Sequence, residues 1–190
     1  MTILDAKLYK PREGGPTFPL KHRLTRLAWG IVWNGLGTWT PVPFHGWRRF
    51  LLNAFGARID PTAKVYPHVR VWYPRNLAMA RFSCLARDVN CYCMDTITLG
   101  EYALVSQGAH LCGGTHDVDD PDFPLIAKPI SIGDNAWVAA EAFVGPGVTI
   151  GSNAVLGARA VTVKSLAEGM IYAGNPARPI RARSTAGSDG

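Results

Sequence analysis

The sequence predicts an all-β chain, a parallel β-helix of about five triangular coils that follows an N-terminal α-helical segment. Three observations predict this fold: a repeat of six residues, a break in that repeat after His116, and a basic, tryptophan-rich segment before the repeat begins. A period of six is neither the period of two of a strand nor the 3.6 of a helix. It is typical of short strands that alternate with corners, and a repeat of this kind decides the whole architecture.

The hexads begin at Ile59 and are most regular over residues 132–161, where five units follow without a slip: IGDNAW, VAAEAF, VGPGVT, IGSNAV and LGARAV. The aliphatic first position is expected to point inward. Gly at the second position is expected to ease the corner, because Gly tolerates unusual φ/ψ angles, and the small fifth residue lets stacked backbones approach. A β-sandwich would instead alternate with period two and show turn clusters every 8–12 residues or so.

The spacing of the hexads predicts where the coils start and where the chain leaves them. Coils are predicted to start at residues 59, 79, 99, 132 and 150. The interval that begins at residue 99 is the longest, and its surplus predicts a loop over 117–131 that is extruded from one corner. His116 stands at the edge of this loop, and function concentrates in loops that a rigid scaffold holds.

The segment before the coils, residues 1–58, carries nine Lys or Arg against two acidic residues, so its net charge is +7. Residues 59–190 carry eleven against twelve, which gives −1. We therefore divide the chain into residues 1–58, a β-helix over 59–168 and a C-terminal segment over 169–190. The basic first segment is expected to cap the first coil, whose open end would expose unpaired strand edges. Its charge is equally well explained by contact with an anionic membrane surface and by an ordinary solvated face, and membrane contact is compatible with the cap.

Two helices are predicted in the first segment. The stretch FHGWRRFLLNAFGAR at 44–58 predicts an amphipathic helix that stops at Gly56. The stretch 24–39 predicts a weaker helix broken by glycines, and it is too short for a confident membrane span. The chain shows no signal-peptide pattern, so a cytoplasmic location is expected.

The remaining composition indicates an ordinary globular interior. The four cysteines fit no zinc-site spacing and are expected to be buried thiols: Cys84, Cys91, Cys93 and Cys112. The last residues, STAGSDG at 184–190, are expected to be disordered.

Several motifs together resemble the hexapeptide-repeat acetyltransferases. They are the hexads, GGTHD at 113–117, AWVAAEAFVGPGVTIG at 136–151 and AGNPARPI at 173–180. The resemblance covers roughly residues 20–182 and is strongest to the O-acetyltransferases of colanic-acid-type exopolysaccharide synthesis, followed by the galactoside, maltose and nodulation-factor acetyltransferases. It implies a left-handed β-helix, a homotrimer with active sites between subunits, and transfer of acetyl from acetyl-CoA to a sugar hydroxyl. Direct attack in a ternary complex is implied, and no metal is needed.

The resemblance implies that His116 is the general base. A sugar hydroxyl must lose its proton as it attacks the thioester, and imidazole is suited to accepting a proton near neutral pH. The N–H groups of Gly113 and Gly114 are one candidate source of donors to the intermediate. Asp88 and Asn90, two residues apart and so on one face of a strand, match a polar position that touches the acceptor or steadies the base. The choice between these two stays open.

The resemblance also implies the residues that hold coenzyme A. Trp137 would line the pantetheine channel, the backbone of Ala140 and Ala158 would contact the pantetheine arm, and the phosphates would lie near three basic residues: Lys164, Arg178 and Arg181. Positive charge suits the phosphates of CoA. Val163 departs from the Thr that some relatives carry, so a side-chain hydrogen bond is lost there.

Other functions stay open at this point. The acceptor could be an exopolysaccharide precursor, a lipid-linked oligosaccharide, a free sugar or an antibiotic. A γ-carbonic-anhydrase-like enzyme would need three histidine ligands for zinc, for which His68, His110 and His116 are the candidates. A non-catalytic β-helix scaffold would bind no CoA. No nucleic-acid partner is expected.

Overall fold

The computed structural model describes residues 3–184. The disorder expected for the C-terminal end concerns residues 185–190, which lie outside the described residues. Three α-helices come first: Ala6–Tyr9 (α1), Leu20–Val32 (α2) and His45–Ala54 (α3). Helix α2 continues as a π-helical turn over Trp33–Gly37, and short 3-10 turns lie at Pro11–Glu13 and Pro74–Asn76. Both predicted helices are confirmed, although α2 begins four residues before the predicted stretch.

Nineteen short strands follow in the described part of the chain. In order they are Arg58–Ile59 (β1), Lys64–Val65 (β2), Arg70–Val71 (β3), Leu77–Met79 (β4), Cys84–Leu85 (β5), Asn90–Tyr92 (β6), Ile97–Leu99 (β7), Leu104–Val105 (β8), His110–Cys112 (β9), Gly114–His116 (β10), Leu125–Ala127 (β11), Ile130–Ile132 (β12), Trp137–Val138 (β13), Phe143–Val144 (β14), Thr149–Ile150 (β15), Val155–Leu156 (β16), Val161–Thr162 (β17), Met170–Ala173 (β18) and Arg178–Ala182 (β19).

The strands form three parallel ladders that are the sides of a triangular coil. One ladder runs β1-β4-β7-β12-β15, a second runs β2-β5-β8-β13-β16-β18, and a third runs β3-β6-β9-β14-β17. The bridge from Ile150 to Leu166 extends the first ladder by one more turn. The left-handed β-helix fold is therefore confirmed, with about six turns in place of the predicted five.

The core lies inside the triangle and is built as the hexads predict. The inward residues of the ladder strands are buried and mostly aliphatic, as Val65, Leu85, Val105 and Val138 are on the second ladder. Val138 pairs with Val105 below it and Leu156 above it, so like side chains stack along the axis. Burial of these apolar side chains is the main contribution to the stability of a solenoid, because each coil covers the face of the next.

The glycines at the second hexad position have a different role from the one predicted. Gly133 and Gly151 do not adopt the left-handed φ values found elsewhere in the chain. A Cβ at Gly133 would lie 2.6 Å from the backbone nitrogen of Ser152, and one at Gly151 would lie 2.6 Å from that of Glu168. These glycines are needed because the next coil passes too close for a side chain. The left-handed corner positions are occupied mostly by other residues, such as Asn135 and Asn153.

The N-terminal helices cover the open end of the first coil. The indole nitrogens of Trp29 and Trp33 donate to the carbonyls of Val71 and Val69, at 2.7 and 2.8 Å. The fully buried Arg48 donates from Nε to the carbonyl of Val65 at 2.7 Å. These carbonyls belong to edge strands that have no coil beneath them, so the helices satisfy acceptors that a further coil would otherwise bond.

The excursion from the third coil is a β-hairpin with different bounds from the predicted loop. Strands β10 and β11 pair antiparallel, and the amide of Lys128 closes the excursion by donating to the carbonyl of Gly113 at 3.0 Å. The chain thus leaves the coil at residue 113 and is back in it by Ile130. The predicted range of 117–131 was wrong at both ends, because Thr115 and His116 pair in the hairpin and residues 130–132 already form β12.

Candidate active site

His116 is the last residue of β10 and lies opposite Leu125 in the hairpin. Its side chain is exposed. The Nδ1 atom lies 3.0 Å from the carbonyl oxygen of Phe123. The imidazole also stacks on the Phe123 ring, with centroids 4.4 Å apart and planes inclined by 12°. The ring is therefore held on one face and at one nitrogen.

The contact at Nδ1 decides the tautomer of His116. A carbonyl oxygen can only accept a hydrogen bond, so Nδ1 must carry the hydrogen when this bond forms. The neutral imidazole then has an unprotonated Nε2, which is the atom that can accept a proton. The carbonyl is presented by a tight turn in which Phe123 adopts a φ of +49° and its amide donates to Asp120 at 2.9 Å.

The N-terminal segment reaches this turn through Arg12. Its Nη1 donates to the carbonyl of Pro121 at 2.9 Å, and its guanidinium carbon lies 5.6 Å from the centroid of the Phe123 ring. The sequence analysis missed Arg12. Its partner is 109 residues away, and a lone arginine near the N-terminus gives no signal of such a contact.

The two glycines before His116 are close to the neighbouring coil. The amide of Gly113 donates to the carbonyl of Tyr92 at 3.0 Å, so this N–H is occupied within the fold. Gly113 is thereby weakened as the suggested donor to a reaction intermediate, and Gly114 remains. A Cβ at Gly114 would lie 2.3 Å from the Sδ of Met94, so Gly114 is needed for close packing as well.

Asp88 and Asn90 are not brought into hydrogen-bond contact with His116 among the described residues. Asp88 is exposed at a corner with a φ of +61°, a conformation that Asp tolerates. The Nδ2 of Asn90 lies 3.2 Å from the Nε2 of His110 on the neighbouring strand. Asp95 is closer to the His116 corner, because its backbone nitrogen would lie 3.5 Å from a Cβ at Gly113. Only the stacking of neighbouring coils brings Asp95 to this corner, and no motif in the sequence indicates it.

Trp137 lies on the outer face of β13 and is 42% exposed. Its Nε1 donates to the Oγ of Ser106 at 2.9 Å, which fixes the orientation of the indole. The indole borders a cavity of about 330 Å³. The cavity is lined by Tyr102, Leu104, Asn135, Ala136, Trp137 and Arg183.

Ala140 and Ala158 lie on the next corner, one coil apart. The amide of Arg159 donates to the carbonyl of Ala140 at 2.9 Å, so the two corners are stacked. Ala140 is half-buried and Ala158 is exposed. Side chains this small leave the corner open beside the backbone, as a groove for an extended ligand would require.

The predicted basic residues are all exposed near the C-terminal end. Lys164 follows β17, whereas Arg178 and Arg181 lie on β19, which pairs antiparallel with β18 at the edge of the ladder that contains Trp137. None of the three ion pairs found among residues 3–184 involves them. Their positive charge is therefore available to an anion.

Arg183 was missed, although it lines the same cavity as Trp137. Its Nη1 donates to the carbonyls of Asn135 and Asn153, at 2.9 and 3.2 Å, and it lines the Trp137 cavity. The basic run PIRAR contained this residue, but a β-bulge in the pairing of β18 with β19 shifts the register between Ile171 and Tyr172. The sequence shows no sign of that shift.

The histidines proposed for a zinc site are spread over the molecule. His68 is at an exposed corner, His110 is half-buried against Phe143, and His116 is on the hairpin. Within residues 3–184 no three His, Cys, Asp or Glu side chains are grouped so that they could hold a metal ion. The described helices include none that is both long and apolar enough to cross a membrane. The four cysteines are free thiols, of which Cys91 and Cys93 are buried.

Comparisons with known proteins agree with this geometry. Residues 129–164 match the family model "Bacterial transferase hexapeptide (six repeats)". The chain is 40% identical over 155 residues, 82% of this chain and 85% of the relative, to the WcaF protein of Escherichia coli strain K12, which is assigned to colanic acid biosynthesis as an acetyltransferase.

Solved structures show the same fold. A maltose O-acetyltransferase from Clostridium difficile 630 superposes with a TM-score of 0.78 at 22% identity, covering 88% of this chain and 90% of that one. A hexapeptide-repeat acetyltransferase from Vibrio cholerae O1 biovar eltor, solved with acetyl coenzyme A, superposes with a TM-score of 0.77 at 19% identity, covering 91% and 96%. The chain therefore belongs to the hexapeptide-repeat acetyltransferases, the acyltransferases that use acetyl-CoA as co-substrate.

Proposed function

We propose that the enzyme transfers acetyl from acetyl-CoA to a sugar hydroxyl of an exopolysaccharide precursor, with His116 as general base. The observation that carries this proposal is the 3.0 Å contact between Nδ1 of His116 and the carbonyl of Phe123. It leaves Nε2 unprotonated on an exposed ring, and a base must present a free nitrogen to the proton that it accepts.

The proposed reaction is a direct attack in a ternary complex. The hydroxyl oxygen of the acceptor forms a bond to the thioester carbonyl carbon while its proton moves to Nε2 of His116. The tetrahedral intermediate collapses with cleavage of the carbon–sulfur bond. The imidazolium returns its proton to the departing thiolate, so the products are the acetyl ester, free CoA and neutral His116. The carbonyl of Phe123 supports the imidazolium, because it accepts from Nδ1 in both charge states.

Coenzyme A is proposed to lie along the groove between Trp137 and the C-terminal basic residues. The indole of Trp137 and the small corner residues Ala140 and Ala158 would contact the pantetheine arm. The cationic side chains Lys164, Arg178 and Arg181 would meet the phosphates, because guanidinium groups bind phosphate with two parallel hydrogen bonds. Arg183 is added to this set because it lines the Trp137 cavity.

The acceptor class is proposed from the WcaF relative, which is assigned to colanic acid biosynthesis. A precursor sugar on a lipid carrier fits the basic, aromatic segment 1–58, which would hold the enzyme at the inner face of the membrane. Asp88, Asn90 and Asp95 are the polar groups on this part of the coils that could contact the sugar. Since acceptor specificity depends on loop shape, a free sugar or an antibiotic is the second candidate acceptor.

A homotrimer is part of the proposal. Trp137 is large, 42% exposed and on the outer face of a flat ladder, and it borders a cavity that a neighbouring subunit could complete. In such an assembly the hairpin of one subunit would face the CoA groove of the next. The mass of the purified protein in solution tests this part of the proposal.

The test of the chemistry is release of CoA thiol from acetyl-CoA in the presence of sugar acceptors and envelope extracts. We expect the His116→Ala variant to lose acceptor-dependent release by about 10²-fold or more, as the loss of a general base does. The matched control is His68→Asn, which removes an exposed corner imidazole and keeps a residue that tolerates its φ of +61°. Equal rates for His116→Ala and wild type would contradict the role of His116, while CoA binding without turnover of any acceptor would contradict the proposed acceptor class.

A further inference from the structure

Helix α2 exposes a continuous apolar stripe. Leu20, Leu24, Leu27 and Ile31 are 66%, 55%, 61% and 67% exposed. Their spacing of four, three and four residues places them on one face of an α-helix. A single exposed apolar side chain is common on protein surfaces and needs no explanation. A contiguous row of four large aliphatic side chains is uncommon, and such patches mark interaction sites.

The opposite face of α2 fixes the direction in which the stripe points. His22, Trp29 and Trp33 are buried against the first coil, and the two indoles donate to edge carbonyls of the strand region around β3. Those carbonyls face along the axis of the β-helix, where a lower coil would be. Since the stripe is on the other side of the helix, it faces away from the stacked coils.

A second group of exposed apolar side chains adjoins the stripe. Trp47 and Phe50 of α3 stack with centroids 5.5 Å apart and are 40% and 60% exposed. The indole of Trp47 donates to the carbonyl of Leu36, five residues beyond Ile31 and itself half exposed. The surface formed by Leu20, Leu24, Leu27, Ile31, Leu36, Trp47 and Phe50 is called the cap surface below.

The charge around the cap surface has one sign. Residues 14–59 contain six Lys or Arg and no Asp or Glu. Lys21 and Arg23 are exposed on α2 and flank the stripe on its two sides, because they lie about 100° and 300° around the helix from Leu20. Apolar side chains between cationic flanks, together with tryptophan, are the composition of a helix that lies in a membrane interface.

We propose that the cap surface docks on an anionic lipid bilayer, with α2 in the plane of the headgroups. This inference rests on the proposed function in one respect: docking would give the enzyme access to a lipid-linked acceptor. In this orientation the coils stand upright on the membrane. The corner that carries His116 belongs to the third coil, two ladder spacings or about 10 Å above the first. The hairpin is tied to the N-terminal segment, because Arg12 donates to the carbonyl of Pro121. The proposed base is thus held at the height of a sugar that projects from the bilayer.

A second copy of the chain fits the cap surface less well. An interface between two identical patches would bring Lys21 and Arg23 of both copies together around an apolar centre. With no acidic residue in residues 14–59, this segment offers its copy no partner for these cations. Like charges at an interface oppose association, whereas anionic headgroups complement them.

The test is co-sedimentation of the full-length protein with vesicles. Vesicles of phosphatidylcholine with phosphatidylglycerol should bind the protein, and vesicles of phosphatidylcholine alone should bind it at least about tenfold more weakly. The variant Leu24→Gln/Leu27→Gln/Ile31→Gln should lose at least about tenfold in affinity. Its matched control is Phe82→Gln/Val118→Gln/Val163→Gln, which changes three exposed apolar residues elsewhere and should bind as wild type does.

Charge reversal separates the electrostatic part. Lys21→Glu/Arg23→Glu should weaken binding to anionic vesicles by about tenfold or more at low salt. The control Arg87→Glu/Lys128→Glu makes the same change in net charge at exposed sites outside the cap surface, and it should weaken binding much less. The proposal is overturned if wild type binds neither kind of vesicle. It is also overturned if the cap-surface variant changes the oligomeric mass while wild type stays off vesicles, since the surface would then join copies of the chain. Acetyl transfer to a soluble acceptor is unaffected by either result, so the proposed chemistry and the membrane proposal fail separately.

Discussion

At the scale of single residues, the proposed base depends on one peptide carbonyl and one aromatic ring. Phe123 supplies both, since its carbonyl contacts Nδ1 of His116 and its ring stacks on the imidazole. Phe123 is itself held by Arg12, which donates to Pro121 and lies over the Phe123 ring. We therefore propose that Arg12 is a positioning residue that acts on His116 through the turn of the hairpin.

We expect Arg12→Ala to lower kcat about tenfold or more and to leave the KM for acetyl-CoA nearly unchanged. The physical reason is that a small misplacement of a reacting group costs rate, whereas the proposed CoA groove is on another ladder. Arg12→Lys should recover part of the activity, because an ammonium can donate to Pro121 but has no planar face for Phe123. The steady-state rates of the two variants measure this.

The control for Arg12 is Lys10→Ala, which removes an exposed partner of Glu13 in the same segment. It should keep the wild-type rate, because exposed ion pairs contribute little. A rise in the KM for acetyl-CoA with unchanged kcat in Arg12→Ala would contradict the positioning role. So would an unchanged pH profile of kcat, since a displaced imidazole no longer has its Nδ1 acceptor.

Contacts between residues that are distant in sequence could not be predicted from the sequence alone. His116 and Trp137 were predicted because they lie within motifs. Arg12 and Arg183 were missed because each acts on a partner distant in sequence, across a hairpin turn in one case and a bulged ladder in the other. The fold brings these two arginines to the candidate site, and no local sequence pattern indicates that they lie there.

At the scale of the elements, the hexad predicted the strands and the stacking but gave the wrong reason for its glycines. Most left-handed corner positions are occupied by residues other than glycine, such as Asp88, Asn135 and Asn153. The glycines instead allow the next coil to pass within a distance that no side chain tolerates. The hairpin bounds were wrong for a related reason, because a hexad count cannot tell a residue in a coil from one that pairs in an excursion.

We expect Gly151→Ala to lower the free energy of unfolding by about 1–3 kcal/mol, the usual cost of forcing an extra carbon into a packed site. Its Cβ would lie 2.6 Å from the backbone nitrogen of Glu168, and backbone cannot give way cheaply. Gly30→Ala in α2 is the opposite case, because nothing lies within 4 Å of its Cβ. It should stabilise the protein by about 0.5–1 kcal/mol, since Gly is unfavourable inside a helix. Urea unfolding of both variants tests the prediction, and equal midpoints would refute the close-approach explanation.

At the scale of the whole molecule, the cap and the coils form one hydrophobic core. Trp29, Trp33, Leu51 and Leu52 from the helices belong to the same buried cluster as the inward residues of the strands. The sequence predicted the cap but not how it is held. Indole and guanidinium donors bond the free edge carbonyls of the first coil. The cap keeps His22 and His45 poorly solvated, and the stacked coils do the same for His110.

These histidines predict that the fold loses stability in mild acid. Burial lowers the pKa of His22, helped by the nearby charge of Arg26, and burial also lowers the pKa of His45 despite its bond to the Val65 carbonyl. The pKa of His110 is also lowered, mainly by burial and to a smaller extent by the charge of Arg70. An unfolded histidine titrates near pH 6.5. Below that value the unfolded chain binds protons that the folded chain refuses, so stability is complete above the unfolded pKa and falls as the pH drops.

The measurement is the thermal midpoint as a function of pH, compared between wild type and His22→Phe. His22 is the sharpest case, because both of its ring nitrogens are buried without a hydrogen-bond partner among the described residues, and its ring packs against Phe18 and Tyr73. Phe keeps the stacking and cannot take up a proton in either state. We therefore expect His22→Phe to lose less stability than wild type between neutral pH and about pH 5.5. A steeper acid loss in His22→Phe than in wild type would show that His22 is protonated in the fold and that the cap holds it as a cation.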